Sequence, residues 1–263
     1  MKIISIISAN GGVGKTTIAA NLATVFKKNG HHVLAVDFDP KNSLRLHFGI
    51  DLLHTLGIAS SKQILGKWSQ AIIKGSDDVS ILPFGNTSAD ERNNFIGEMS
   101  NNPMLLKEQL ITLGLPNNAI VLVDTPAGPS PYLDQSLSAA NLVILANHAD
   151  GASYSMLQMI NALVEQQCRT RVDFLGSFYV INQLDRSRQL AGDIADIMSM
   201  QLGAENVGPI HHDQSVQEAF AFGTDVIHYA PDSRASMDFI EVSLLVSQLI
   251  GIRLGVTAHR DSF

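Results

Sequence analysis

A doubly wound α/β domain with a mostly parallel sheet flanked by helices is the fold this sequence predicts. Three observations predict it. Short, continuously apolar runs recur along the chain, the first run leads into a glycine-rich loop, and helical patterns separate one run from the next. Strands covered on both faces read as unbroken apolar segments, as in a parallel sheet. Strand–helix alternation then builds one layered domain. The 263 residues, 45 % of them hydrophobic, are enough for a single large core.

The expected strands cover residues 2–8, 32–37, 79–82, 119–124, 142–147 and 174–182. The first could pass for a leader peptide, but Ser5 interrupts it and it runs straight into the glycine loop, so a buried strand is expected. Helices are expected over 15–28, ending near Gly30 as a C-terminal cap, and over 103–113, opening on Pro103. Further helices are expected over 153–167, 187–202, 215–222 and 234–250. Residues 85–103 are polar and rich in Asn and Ser, and read as a surface loop or short insertion. The domain is expected to span 1–254, with 255–263 as a flexible tail.

Composition narrows the function. A net charge of −7 gives no general attraction to nucleic acid or acidic lipid. No apolar run approaches the ~18–20 residues of a membrane span. The one cysteine, Cys168, excludes an intrachain disulfide framework and a cysteine-built zinc site, and fits a cytoplasmic chain. It is expected to pack at a helix end.

The strongest motif is Ser8-Ala9-Asn10-Gly11-Gly12-Val13-Gly14-Lys15-Thr16-Thr17, placed after a strand and before a helix. Glycines let successive N–H groups turn inward onto phosphate oxygens, and the helix start adds its dipole. Lys15 supplies a charge for the β- and γ-phosphates, Thr16 a hydroxyl for Mg²⁺, and Thr17 a contact to the α-phosphate. Ala9 stands where the strict form of this loop has glycine. Two carboxylate segments follow. Val36-Asp37-Phe38-Asp39-Pro40 closes the second strand, and Val121-Leu122-Val123-Asp124-Thr125-Pro126-Ala127-Gly128 closes another. An apolar strand ending in Asp delivers a carboxylate to a magnesium water shell.

These segments resemble the MinD/ParA family of ATPases with a deviant phosphate loop. The resemblance implies an ATP- or ADP-binding, slowly hydrolysing enzyme with Mg²⁺, active as a nucleotide-dependent homodimer. It implies backbone and side-chain contacts to nucleotide from Asn10 to Thr17, catalytic roles for Lys15, Asp39 and Asp124, and magnesium held by Thr16 with Asp39 and Asp124 acting through water. It gives Asp39 the placing of the attacking water. It also implies adenine contacts from Asn182, at the end of a late strand, and from Pro209, Ile210 and His211, in a loop over the base. The family carries a lysine where this chain has Asn10. Asparagine brings no charge, and a charge-assisted contact is about twice as strong as a neutral one. A weaker dimer or slower hydrolysis follows. The adjacent His211 and His212 read as loop polar residues rather than metal ligands, with no acid–histidine cluster evident nearby.

Three further segments, Leu44-Arg45-Leu46-His47-Phe48, Leu82-Pro83-Phe84-Gly85 and Ile210-His211-His212-Asp213, resemble the BcsQ (YhjQ) cellulose biosynthesis branch. That resemblance implies a switch serving the cellulose synthase and secretion complex, partnered by BcsR-like and BcsE-like proteins and the synthase itself. It implies recruitment to the inner membrane or cell pole without an intrinsic membrane segment. Two alternatives compete. A ParA-type partition ATPase would coat DNA through basic residues, which the acidic balance opposes. A non-hydrolysing scaffold would hold nucleotide structurally. A nitrogenase-type iron protein needs more cysteines than one.

Overall fold

In the computed structural model, residues 1–60 and 67–255 are described. The expected tail falls at 256–263, outside the described residues, apart from Gly255.

The chain opens with β1 (Lys2–Ile7), the glycine loop, α1 (Lys15–Lys28) and β2 (Val33–Asp37). Two short 3-10 turns, Leu44–Phe48 and Trp68–Ala71, lead to β3 (Ile73–Lys74) and β4 (Ser80–Leu82). Then come α2 (Ala89–Asn101), α3 (Leu105–Thr112), β5 (Ile120–Asp124), α4 (Pro131–Ala139) and β6 (Leu142–Asn147). The last part holds α5 (Gly151–Cys168), β7 (Gly176–Leu184), α6 (Gln189–Leu202), β8 (Asn206–His211), α7 (Gln214–Ala221), α8 (Val226–Tyr229) and α9 (Arg234–Leu249).

Among the described residues eight strands form one sheet in the order β3-β4-β2-β5-β1-β6-β7-β8, parallel except for the β3–β4 pair. The order reverses around β1, between β5 and β6. Ligand sites of open α/β sheets lie at such a switch point, beyond the carboxyl ends of the strands. Alternation along β1 sorts the core. Ile4 and Ile6 face α1 and α9, where Ile18, Leu22, Phe26, Phe239 and Val246 bury. Ile3 and Ile7 face the other layer, built from α2 to α6. Ser5 points that way too, and its hydroxyl donates to Ser136 O of α4 at 3.1 Å. Burying one such Leu, Ile or Phe stabilises the fold by about 1.5–3 kcal/mol.

Most expected elements are present with ends shifted by one or two residues, and three are corrected. Residues 85–103 contain helix α2 instead of a loop. Ser88 and Glu91 cap it reciprocally, and Phe95 and Met99, four apart, bury its inner face. Helix α4, unforeseen, opens on Ser130, whose hydroxyl accepts from Leu133 N–H, and Pro131. The segment around Pro209 is no loop but β8, an edge strand. Pro209 lies opposite Ile181 at a register shift, where an edge tolerates a missing N–H. Helix α3 begins at Leu105, after Asn102 Oδ1 accepts from Met104 N–H at 3.0 Å. Cys168 is buried at the end of α5 against Leu137 O. No helix among the described residues is long and apolar enough to cross a membrane.

Candidate nucleotide site

The glycine loop sits at the carboxyl end of β1, between β5 and β6. Gly12 and Gly14 take left-handed backbone at φ 79° and 86°. A Cβ at Gly14 would also meet Asn182 Nδ2 at 2.3 Å, so this position needs glycine twice over. Two amides brace the loop from β7. Asn182 Nδ2 donates to Val13 O at 2.7 Å and Gln183 Nε2 to Gly12 O at 3.2 Å. Gln183 holds a left-handed φ of 54° to do so.

Lys15 is only 7 % exposed, and its ammonium donates to Ser8 Oγ at 2.8 Å. Ser8 Oγ in turn donates to Asn10 O at 2.7 Å. Burial lowers the Lys15 pKa, against the pull of Asp124 and Asp39. Thr16 Oγ1 donates to Asp124 Oδ2 at 2.6 Å. The other oxygen, Asp124 Oδ1, is buried without a hydrogen-bond partner among the described residues. Asp37 pairs with Asp124 across β2 and β5. Its carboxylate accepts from Leu44 N–H at 2.8 Å and Asp39 N–H at 3.2 Å, fixing the turn after β2. Burial raises both pKa values, and the neighbouring Asp124 charge pushes Asp37 further. A divalent cation beside Asp124 Oδ1 reverses that desolvation penalty, so the donor set fits magnesium.

A cleft of about 300 Å³ runs over the loop, lined by Gly11, Gly12, Lys15, Thr16, Asp39 and Lys41 among others. A second, of about 200 Å³, adjoins it through Thr17, Gln183 and Phe220, and is lined by Asn182, Ile210 and His211. The two clefts are contiguous, one over the glycine loop and the other beside β7, β8 and α7. Of the residues expected at the adenine, Asn182, Ile210 and His211 line this pocket. Pro209 does not, because it is held on β8 against Ile181. One N–H of the Asn182 amide is engaged by Val13 O, which leaves its second N–H and its oxygen uncommitted by that bond. His211 carries an acid partner that the sequence did not reveal. Asp238 Oδ2 accepts from His211 N–H and meets Nδ1, each at 2.8 Å, with Arg234 on the other carboxylate oxygen. Among the described residues no group of three or more His, Cys, Asp or Glu could hold a metal ion.

Sequence reasoning missed Ser8 as the partner of Lys15, Gln183, Phe220 and His47. The His47 ring packs on Phe220 with centroids 4.7 Å apart, at the junction of the two clefts. Burial pushes its pKa down to about 4. Ser8 lies inside the glycine-loop motif, Gln183 beside Asn182 and His47 in the segment 44–48, whereas Phe220 carried no local signal.

Strand order, loop and paired carboxylates define a P-loop protein of the MinD/ParA kind. The MinD septum-site protein of Pyrococcus horikoshii, solved with Mg-ADP, superposes with a TM-score of 0.75 at 24 % identity, over 97 % of this chain and 99 % of that one. The model of the family described as "Cellulose biosynthesis protein BcsQ" matches residues 1–245, and the chain belongs to that family. The BcsQ proteins of Salmonella typhimurium and Escherichia coli are 28 % and 27 % identical, each over 92 % of this chain and 93 % of the relative.

Proposed function

We propose that the protein binds Mg-ATP, hydrolyses it slowly, and acts as a nucleotide-gated dimeric switch in cellulose synthesis. The observation that supports this most is the arrangement at Asp124. One carboxylate oxygen is tied to Thr16, the other is buried without a partner among the described residues, and Lys15 lies beside a glycine cradle. The curated relatives named as cellulose biosynthesis proteins support the biological setting.

In this reading the N–H groups of Gly11 to Thr16 bind phosphate oxygens, and Lys15 leaves Ser8 for the β- and γ-phosphates. Thr16 directly and Asp124 through water would hold Mg²⁺, which would offset negative charge on the phosphates. Asp39 accepts a hydrogen bond from water and aims it at the terminal phosphorus. The bond from that phosphorus to the ADP oxygen breaks, and phosphate and ADP leave. Little covalent work falls to the protein, so positioning and electrostatics carry the rate. Single-turnover hydrolysis with excess protein tests this: phosphate release dependent on magnesium supports it, and intact ATP after prolonged incubation contradicts turnover. The second outcome, with binding preserved, selects a nucleotide-held scaffold, a reading that uncharged Asn10 favours.

A further inference from the structure

Resting on that reading of the site, the cleft raises a question of charge. Asn10 brings none, and it is not among the residues lining the phosphate channel. Lys41 is. It sits just past Asp39-Pro40, across the channel from the loop, in a turn fixed by its own geometry. Lys41 N–H donates to Asp39 Oδ1 at 2.9 Å, and Asn42 N–H to Asp39 O at 2.9 Å. Asn42 closes the turn with a left-handed φ of 53°. The Lys41 ammonium makes neither an ion pair nor a hydrogen bond within the described residues, and the side chain is exposed. Lys41 and Lys15 thus face one channel, whose lining also includes the Asp39 carboxylate. After burial and the two aspartates, the Lys41 charge is what acts on Lys15, and it acts against the Lys15 charge.

We infer that Lys41 is a second phosphate-binding cation, which contacts the terminal phosphate of the nucleotide on its own subunit and makes the site prefer triphosphate over diphosphate. An anion placed between the two ammonium groups turns their repulsion into two attractions, and only the phosphate farthest along the channel reaches Lys41. The backbone turn comes from Asp39 and Asn42, so replacing the Lys41 side chain leaves the turn intact.

The test is titration calorimetry of the full chain with a non-hydrolysable ATP analogue and with ADP, both with magnesium, for wild type, Lys41→Gln and Lys41→Arg. Lys41→Gln is expected to lose about tenfold in analogue affinity, the scale of one charge-assisted contact, with ADP affinity held to within about twofold. Lys41→Arg, which keeps the charge, is expected to keep the preference. Equal loss for both nucleotides, or no loss for either, overturns the inference while leaving the site reading intact. Wild type that binds neither nucleotide overturns the site reading and this inference together.

Discussion

The Thr16 hydroxyl donates to Asp124 Oδ2 at 2.6 Å, tying the first turn of α1 to the end of β5. The bond orients a carboxylate whose second oxygen has no partner among the described residues. Thr16→Ala is therefore expected to remove the magnesium-dependent part of ATP affinity while ATP still binds weakly without metal. It also leaves more of Asp124 unsatisfied, at a cost of about 1–3 kcal/mol. Titrations with and without magnesium check the first effect and thermal melts the second.

Asp39→Ala is expected to keep ATP binding, to slow hydrolysis by about 10²-fold or more, the scale of losing a positioned catalytic group, and to accumulate dimer. Light scattering with ATP reads the dimer and phosphate release reads the rate. Normal turnover in this variant removes Asp39 from the water-placing role.

What the sequence disclosed and what it hid follow from how local each cause is. The glycine loop and α1 were legible because a left-handed turn, a helix start and an apolar face all lie within residues 8–28, and α1 is Lys15–Lys28 as expected. Helix α2 was hidden because only Phe95 and Met99 bury, which leaves a polar, Asn-rich face that reads as loop. Its Ser88–Glu91 cap was visible in principle. Strand β8 was hidden because Gly208 and Pro209 argue against a strand unless it is known to be an edge. Within the site, Phe220 and His47 come from segments far apart in sequence, and only tertiary packing brings them together.

His47 supplies a pH dependence. Its folded pKa, about 4, lies below the ordinary 6.5, so the unfolded chain binds more protons between those values. Stability therefore rises with pH from 4 to 6.5, and the contribution present above 6.5 is lost as pH falls toward 4. The pKa difference corresponds to about 3 kcal/mol at the acid end. His47→Phe keeps a ring against Phe220 and is expected to flatten the fall in melting temperature over that window. An unchanged profile rules out His47 as its source.

Phe95 joins α2 to an aromatic cluster with Phe38, Phe84, Trp68 and Tyr132, edge-on to Phe38 at 6.1 Å. Phe95→Ala is expected to cost about 3–5 kcal/mol. Because Phe38 lies inside the Asp37–Asp39 segment, the loss also loosens that turn. Urea unfolding measures the first effect. A loss under about 1 kcal/mol, the scale of an exposed site, contradicts the packing of α2 described above.

The grip of the glycine loop on a triphosphate is tested most directly by calorimetric titration of Mg-ATP into wild type and Lys15→Ala. One nucleotide bound per wild-type chain is expected, with an affinity lower by about 10²-fold or more in the variant, the loss of a buried charge pairing with phosphate. Equal affinities, or no heat from wild type at any concentration, would contradict it.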